Sequence, residues 1–425
     1  MQLEDMVLVS VDDHVVEPPD MFEGRLPARF ADRAPYVRKK RNGVDVWMFE
    51  DQQVANLAIN AVAGRPKEEY GVEPTSFDQI RKGCFDIHER VKDMSAAGVL
   101  GSMCFPSFPG FCGRLFATAP DKDYAEAVLR AYNDWHIESW CGTYPERFMP
   151  LALPAMWSAE VSAAEVRRVA ELGCHAVTFS ENPAVLGYPS LHDTYWDPLW
   201  AACADTGTVP CMHIGSSSQL VVTSPDAPAD VMITLQPLNL VQCATDLVWS
   251  GIFLRFPSLK VALSEGGIGW IPYFLERIDR TYDRHRAWTG QDLHGHLPSD
   301  LFKEHVITCF ISDRAGVRAR HDIGVPMITW EMDYPHSDAA WPNAAEEVWE
   351  EIGTLPDAEI DAITHENAMR LFSYDPFAIR PKATSTVAAL RSEVVGHDVE
   401  IRSSGQPVAT GERVTAASIQ AKATA

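Results

Sequence analysis

The chain has 425 residues, of which 46% are apolar and 22% charged, a composition too apolar for wholesale disorder. Its 36 basic and 59 acidic residues give a net charge of −23, which argues against nucleic acid or membrane partners, because phosphate backbones and anionic lipids repel such a surface. No apolar run reaches the ~18 residues that cross a bilayer, and the N-terminal residues lack the pattern of a secretory signal, so we expect a cytoplasmic protein.

Eight short apolar segments recur along the chain, each bounded by turn residues and rich in Val, Ile, Met, Phe or Cys. They cover residues 6–10, 98–105, 147–154, 175–180, 209–214, 260–264, 305–311 and 326–330. Continuously apolar strands of this kind are typical of a parallel sheet that is covered on both faces.

Segments with helical periodicity separate and follow these strands. The predicted helices cover residues 86–97, 121–144, 159–172, 197–206, 237–256, 271–288, 312–321, 343–352 and 357–371. A strand followed by a helix, repeated eight times, predicts an α/β protein with a (β/α)8 TIM barrel. An open, doubly wound sheet is the alternative, and the count of eight favours the barrel.

Two segments fall outside this repeat. Residues 17–80 are too long for one connection and contain a predicted hairpin at 37–49, with Asn42 and Gly43 as a type I′ turn. We expect this segment to be an insertion, or cap, over the barrel mouth. Residues 381–425 are rich in Ala, Ser, Thr and Val, which predicts a C-terminal tail or an arm on a partner subunit. The barrel itself is then expected within residues 1–380.

The nine cysteines form no CxxC pair, and their number is odd. Their spacing is typical neither of a zinc finger nor of a disulfide ladder. We therefore expect reduced cysteines in the core of a cytosolic protein.

Acidic and imidazole side chains follow four predicted strands, at the end where the active sites of barrels lie. Asp12 and His14 follow the first strand, His213 ends the fifth, Glu265 follows the sixth and Asp333 the eighth. Asp12 and His14 are two residues apart and so point the same way from a strand. Two carboxylates and two imidazoles, from Asp12, His14, His213 and Asp333, suit Zn²⁺, Mn²⁺ or Fe²⁺. Taken singly, His213 also fits a core histidine and the aspartates fit turn residues.

These residues stand in segments that resemble the amidohydrolase superfamily, and more narrowly the amidohydrolase-2 family, which includes aminocarboxymuconate-semialdehyde and resorcylate decarboxylases. The segments are VSVDDHVVEPPDMF, HERVKDMSAAGVLGSMCFPSF, WDPLWAACADTGTVPCMHIGSS, SEGGIGWIPYFLERIDR and DYPHSD. The resemblance implies a (β/α)8 barrel holding one divalent ion through His14, His213, Asp333 and Asp12, the last in place of the first His of the usual HxH. Zn²⁺ is the first expectation, with Mn²⁺ or Fe²⁺ as alternatives. The family also implies a homodimer that acts on a small molecule.

Other histidines fit this ligand set less well. His294 and His296 form the only HxH pair, but they lie in a loop flanked by Gly and Pro, after a helix. His175 opens the fourth strand at the end away from catalysis, so we expect it to be structural. That strand carries no lysine, and a carboxylated lysine there would bridge two metals in binuclear barrel hydrolases, so one ion is expected.

Three residues are candidates for proton transfer. Glu265 stands where the family usually has a His that acts as acid and base. Glu265 and His336 are the candidate bases, with Asp338 orienting His336. A salt bridge from Glu265 to Arg277 or Arg280, and a turn role for His336, are the alternatives.

Four further residues are candidates for substrate binding. Trp270, Phe105 and Phe108 are expected to line the pocket, and Arg277 is a candidate to bind a substrate carboxylate. Packing, for the aromatic residues, and solvation or ion pairing, for the arginine, are the alternatives.

The leading hypothesis is metal-dependent hydrolysis of a small organic substrate, with Glu265 as base to a metal-activated water. The alternative is non-oxidative decarboxylation of an aromatic or unsaturated acid, in which no water attacks. A non-catalytic barrel that binds a small molecule or a protein is a third hypothesis, which the metal ligands disfavour.

Overall fold

A computed structural model describes residues 1–56, 60–71, 73, 75–405 and 413–423 of the chain. Within these residues, the strands are β1 (Leu8–Val15), β2 (Tyr36–Lys39), β3 (Asp45–Phe49), β4 (Gln52–Ala55), β5 (Val99–Pro106), β6 (Phe148–Met149), β7 (Ala176–Ser180), β8 (Val209–His213), β9 (Val261–Ser264), β10 (Val306–Phe310) and β11 (Ile328–Trp330). Eight of them correspond to the eight predicted strands, and β2, β3 and β4 lie in the insertion.

The helices lie mainly between the strands. They are α1 (Ile87–Ala97), α2 (Arg114–Ala117), α3 (Lys122–Asp134), α4 (Ala159–Glu171), α5 (Asp197–Thr206), α6 (Ala229–Leu235), α7 (Leu238–Trp249), α8 (Ile252–Arg255), α9 (Ile271–Thr289), α10 (Pro298–His305), α11 (Arg314–Arg318), α12 (Arg320–Ile323), α13 (Ala344–Ile352), α14 (Asp357–Asp361), α15 (Asn367–Leu371), α16 (Val387–Glu393) and α17 (Ala416–Ala423). α3 and α14 continue as the π-helical segments Trp135–Cys141 and Ala362–Glu366.

Local chemistry explains where these helices begin and end. The Asp86 carboxylate accepts hydrogen bonds from the first N–H groups of α1, and left-handed Gly98 ends that helix, as capping rules predict. Gly251, with φ of 73°, separates α7 from α8, so the single helix predicted over residues 237–256 is two.

The barrel strands are parallel and follow the order β6, β5, β1, β11, β10, β9, β8, β7. Ala152, just after β6, closes this sheet onto β7. Its N–H donates to the Ala176 carbonyl over 3.0 Å, and its carbonyl accepts from the Thr178 N–H over 2.9 Å. The sheet is therefore a closed barrel, which confirms the predicted fold and rules out an open sheet.

The barrel strands are buried along their whole length, as a sheet between a packed interior and a helix layer requires. All nine cysteines are free and buried, as predicted. Among the described residues, no helix is both long and apolar enough to cross a bilayer.

The insertion contains an antiparallel sheet of β2, β3 and β4, so the predicted hairpin is confirmed. Its predicted type I′ turn is wrong. The Lys40 N–H donates to the Val44 carbonyl, the Gly43 N–H donates to the Lys40 carbonyl, and only Gly43 of the turn residues has a positive φ. A type I′ turn needs positive φ at both central residues. Asn42 does not have a positive φ, and the turn contains three residues instead of the two of a type I′ turn.

The C-terminal segment packs on its own barrel over the residues that are described. Val387 and Leu390 of α16 are buried, and the Val387 N–H donates to the Met6 carbonyl over 2.9 Å. Arg391 pairs with Glu346 of α13 at 2.7 Å. The described part of this predicted tail or arm thus contacts the barrel of its own chain, and α17 lies against α6.

Candidate metal centre

The four predicted ligands converge at the C-terminal end of the barrel, and all four are fully buried. The Nε2 atoms of His14 and His213 are 3.1 Å apart. His14 Nε2 lies 3.4 Å from Asp12 Oδ1 and 3.4 Å from Asp333 Oδ1, and His213 Nε2 lies 3.5 Å from Asp12 Oδ2. The fold thus brings together side chains that are more than 300 positions apart in the sequence.

The surroundings of these side chains fit a divalent cation. Both carboxylate oxygens of Asp12 and of Asp333 are buried without a hydrogen-bond partner, which costs several kcal/mol unless an ion compensates. Donors bound to one ion at about 2.1 Å lie roughly 3.0–3.4 Å from one another, close to the spacings among Asp12, His14 and His213 and between His14 and Asp333. Donor atoms of Asp12, His14 and His213 form one group within 4.8 Å of one another, and Asp333 belongs to a second such group with His14, Glu265 and His336. Two carboxylates also balance the charge of a divalent ion.

A bulge in β1 shapes this end of the barrel. Ser10 pairs with Ser102 of β5, whereas Asp13 pairs with Cys104, so β1 has one extra residue between these pairs. The Ser10 hydroxyl donates to the Asp12 carbonyl over 2.9 Å and accepts from the Met332 N–H over 2.8 Å. Bulges beside active sites redirect side chains in this way, here at Asp12.

Two acidic residues of the site have a left-handed backbone. Glu265 has a φ of 63° and Asp333 a φ of 60°, and both stand where a strand has just ended. This conformation costs a non-glycine residue about 1 kcal/mol or more and is often found at functional sites. The backbone strain at these two residues therefore fits a functional role that requires a particular orientation of their carboxylates.

His213 is held with a nitrogen lone pair toward the cluster, and both histidines are in surroundings that favour the neutral ring. His213 Nδ1 donates to the Ile214 carbonyl over 2.6 Å, which leaves Nε2 as the free lone pair. Burial, with His336 and His213 nearby, lowers the pKa of His14 well below its usual range. Both effects favour the neutral imidazole that a metal requires.

His336 lies directly beside the cluster. Its ring stacks on His14 with centroids 3.6 Å apart, and its Nδ1 is 3.0 Å from Asp333 Oδ1. Burial, together with His213 and Arg90 nearby, lowers the pKa of His336 to about 3. Asp333, rather than the predicted Asp338, is the carboxylate that contacts His336.

Glu265 is at the edge of the cluster and faces the cavity. Its Oε2 is 3.1 Å from His213 Nε2, and its N–H donates to Glu331 Oε2 over 3.1 Å. We find no salt bridge from Glu265 to Arg277 or Arg280, all of which are among the described residues.

Glu331 is a further acidic residue of the site, one that the sequence patterns did not identify. It is buried beside Cys309, whose Sγ donates to Oε2 over 2.7 Å. Burial, together with Glu265 nearby, raises the pKa of Glu331 to about 8. Its place at the end of the eighth strand was the sequence signal that could have identified it.

A cavity of about 790 Å³ opens above the cluster. Trp270, a predicted pocket residue, lines it, and so does Asp338, which was predicted to orient His336; the Trp270 indole N–H donates to the Gly266 carbonyl over 3.0 Å. Arg277 lies on the exposed side of α9 and is not among the lining residues, so the structure does not bring this candidate to the site.

The predicted aromatic residues are placed differently from one another. Phe105 lies against the cluster, with its ring centroid 4.8 Å from that of His213. Phe108 points elsewhere and stacks on Trp47 of the insertion at 4.4 Å. Phe111, three residues later in the same loop, lies 4.4 Å from His213 and lines the cavity. The aromatic loop was thus correctly located, but the sequence could not identify which ring faces the site.

The remaining histidines lie away from the cluster. His294 and His296 are exposed in their loop. His175 is half-buried, in a separate pocket with Pro150 and Tyr374. Neither region contributes a donor atom to the four-residue cluster.

A closed (β/α)8 barrel with nitrogen and carboxylate donors at its C-terminal end is the architecture of metal-dependent barrel enzymes. The sequence model of the amidohydrolase-2 family, described as "Amidohydrolase", matches residues 59–373. The chain therefore belongs to this enzyme family, as its sequence motifs predicted.

A curated relative and two solved structures illustrate the similarity. The 2-amino-3-carboxymuconate-6-semialdehyde decarboxylase of Dictyostelium discoideum is 22% identical over 250 residues, 58% of this chain, and the match spans 62% of that relative's length. An amidohydrolase of Mycobacterium avium subsp. paratuberculosis has a TM-score of 0.65 at 18% identity, covering 86% of this chain and 97% of its own. A Novosphingobium aromaticivorans 5-carboxyvanillate decarboxylase, complexed with manganese and 4-hydroxy-3-methoxy-5-nitrobenzoic acid, has a TM-score of 0.54 at 20% identity, covering 69% and 82%. At these identities, the structural matches show the fold.

Proposed function

We propose that the chain is a metal-dependent decarboxylase that acts on a small organic acid. The relatives named decarboxylases favour this reaction over the hydrolysis that was the leading hypothesis from sequence. The structural observation that carries the proposal is the carboxyl group of Glu265, which lies 3.1 Å from His213 Nε2 and lines the cavity. A decarboxylase needs such an acid beside its cation, because a proton must replace the departing carboxyl group.

Asp12, His14, His213 and Asp333 would hold the cation. When bound, a divalent ion supplies Lewis-acid chemistry by binding substrate oxygens and withdrawing electron density from them. The manganese in the related decarboxylase favours Mn²⁺ over the Zn²⁺ first expected. Metal analysis of the purified protein tests this choice.

The protein's own residues then position the substrate and move one proton. The bond between the substrate carbon and its carboxylate breaks, carbon dioxide leaves, and the electron pair stays on that carbon. Glu265 donates a proton to that carbon, which uses the electron pair to form the new C–H bond, and Glu265 regains a proton from solvent.

Hydrolysis remains a second candidate because of His336. Its Nε2 is buried without a hydrogen-bond partner and lines the cavity beside the cluster. A neutral imidazole with a free nitrogen accepts protons, which is the property of a base that activates water.

The two reactions are separated by isotope labelling. The metal-loaded protein is incubated with a panel of aromatic carboxylic acids and amides, in D₂O and separately in H₂¹⁸O. Decarboxylation releases carbon dioxide and leaves one deuterium on the carbon that lost the carboxyl group. A product that gains ¹⁸O without release of carbon dioxide would overturn the proposal in favour of hydrolysis. Glu265→Gln is the matched control, since it should lose deuterium incorporation together with turnover.

A further inference from the structure

Tyr334 connects two of the proposed metal ligands. It directly follows Asp333, and its carbonyl accepts a hydrogen bond from the His14 N–H over 2.6 Å. Its own N–H donates to Asp13 Oδ1 over 2.9 Å, and the guanidinium of Arg90 lies over its ring, 4.3 Å from the centroid. A displacement of Tyr334 would therefore move both the backbone of Asp333 and the part of β1 that carries His14.

The hydroxyl of Tyr334 is held by Asp93 of α1. Tyr334 Oη donates to Asp93 Oδ2 over 2.7 Å, and both side chains are buried. The same carboxylate accepts two hydrogen bonds from Arg81, from Nε to Oδ2 over 2.7 Å and from Nη2 to Oδ1 over 2.6 Å. A bidentate, charge-assisted pair of this kind fixes the orientation of a carboxylate, so Asp93 offers the Tyr334 hydroxyl a fixed acceptor.

Two residues of the C-terminal segment complete this contact. His397 Nε2 lies 2.7 Å from Asp93 Oδ1, and it is the donor because a carboxylate only accepts. The carbonyl of Asp398 accepts a hydrogen bond from the Arg81 guanidinium. The side chains of His397 and Arg81 are only 14% and 17% exposed. The C-terminal segment is therefore bonded to both members of the pair that holds Tyr334.

The same C-terminal segment also contacts the insertion. The Arg402 N–H donates to the Gly64 carbonyl over 2.8 Å. Two residues earlier in the insertion, the Val62 N–H donates to the Pro335 carbonyl over 3.0 Å, and Asn60 lines the cavity. The C-terminal segment thus reaches the loop after β11 by a second route, through the insertion.

Resting on the proposed function, we propose that residues 397–402 form a strap that positions the ligand Asp333 through Asp93 and Tyr334. The strap lies outside residues 59–373, which match the family model, and it does not line the cavity. The left-handed backbone of Asp333 is a strained conformation, which persists only where the surrounding structure enforces it. Contacts on the next residue supply that constraint, so the strap acts on the metal site by position.

Binding of Mn²⁺ alone to the full-length protein tests this inference. Calorimetry gives the dissociation constant of Mn²⁺, and urea unfolding of the metal-free protein gives the stability of each variant. Tyr334→Phe removes the hydroxyl that Asp93 holds, and we expect it to weaken Mn²⁺ binding by about tenfold or more, as the loss of an outer partner of a metal ligand does. His397→Ala should weaken binding by about threefold or more, a smaller effect because His397 acts through Asp93.

Two control variants separate positioning from a general loosening of the C-terminal segment. His397→Gln keeps an N–H donor close to the position of Nε2, so it should bind Mn²⁺ as tightly as the wild type. Arg391→Ala removes the ion pair of α16 with Glu346, outside the strap, and should lower the free energy of unfolding without changing the Mn²⁺ dissociation constant. Equal weakening of binding in His397→Ala and Arg391→Ala would overturn the inference, and so would a His397→Gln variant as weak as His397→Ala.

The measurement also distinguishes this inference from the proposed function. Wild-type affinity for Mn²⁺ in both Tyr334→Phe and His397→Ala would overturn the role of the strap and leave the proposed function standing. A wild-type protein that does not bind Mn²⁺ would contradict the proposed function and the inference together.

Discussion

Asp12 and Asp13 are adjacent on β1 and equally buried, but the two sides of the strand offer them different surroundings. Asp13 accepts hydrogen bonds from the Ser102 hydroxyl and from the Tyr334 N–H, the latter at 2.9 Å. Neither carboxylate oxygen of Asp12 has a hydrogen-bond partner. A buried carboxylate with a structural role accepts hydrogen bonds from the surrounding protein, whereas a buried carboxylate that binds a metal ion has no such hydrogen bonds.

The same contrast holds across the mouth of the barrel. Glu181 accepts from the Ser217 N–H at 2.6 Å and from the Ser217 hydroxyl at 2.5 Å, and so holds the loop after β8. Glu17 accepts from the Phe108 N–H at 2.8 Å and holds the aromatic loop. Asp333 has no such donors. These acids thus divide into loop anchors and candidate ligands by their hydrogen bonds, although all are buried.

The largest expected effect is that of Asp333→Asn. The amide keeps the side-chain shape, and Asn tolerates the left-handed backbone, but the negative charge at the cluster is lost. We expect the bound metal to be lost and activity to fall at least about 1,000-fold, as checked by elemental analysis and turnover. Asp338→Asn should retain the metal. Full metal occupancy in Asp333→Asn would remove this residue from the ligand set.

Glu265→Gln should separate chemistry from metal binding. Because Gln cannot donate the proton proposed for Glu265, turnover should fall by about 10²- to 10⁴-fold, while the metal content remains that of the wild type. Steady-state kinetics and elemental analysis on the same preparation check both points. Unchanged turnover would reject the proton-transfer role, and metal loss would make Glu265 a ligand.

The adjacent aspartates provide a matched pair. Asp12→Asn should abolish the rise in melting temperature that added metal causes, because a ligand is lost. Asp13→Asn should keep that rise but lower the free energy of unfolding by about 1–3 kcal/mol, because a satisfied buried acid is replaced by a poorer partner. Thermal and urea unfolding, with and without metal, measure both. The same metal response in the two variants would contradict the distinction.

The smallest expected effect is a change in the pH dependence of the unfolding free energy when Glu17, one of the two loop anchors, is replaced. Burial raises its pKa from 4.5 to about 7. Between these two pH values the Glu17 carboxyl group is protonated in the folded protein and ionised in the unfolded chain. Its contribution to stability is complete below pH 4.5 and is lost as the pH rises through about 7, with a slope of at most about 1.4 kcal/mol per pH unit. Glu17→Gln should remove this slope from the unfolding free energy. Glu171→Gln should retain it, and identical pH profiles for Glu17→Gln and the wild type would refute the assignment.

Local patterns in the sequence predicted the elements well. Apolar runs and helical periodicity located the barrel strands, because burial on both faces imposes a continuous apolar pattern. The hairpin at 37–49 was also correct, but its turn was not, since an Asn-Gly pair is compatible with more than one turn geometry. Among the aromatic residues, Phe108 was chosen where Phe111 faces the site, because spacing within a loop does not define direction.

The sequence by itself determined the barrel, the family and the residues whose chemistry suits a cation, because strand periodicity and residue type are local properties. Only the tertiary structure decided which of those residues meet. The bulge before Asp13, the left-handed backbone of Asp333, the stacking of His336 on His14 and the exposure of Arg277 depend on contacts between distant segments. The same long-range packing left Asp12 without hydrogen-bond donors and placed donors beside Asp13. Because the two residues are identical and adjacent, the sequence alone cannot predict which of them is hydrogen-bonded.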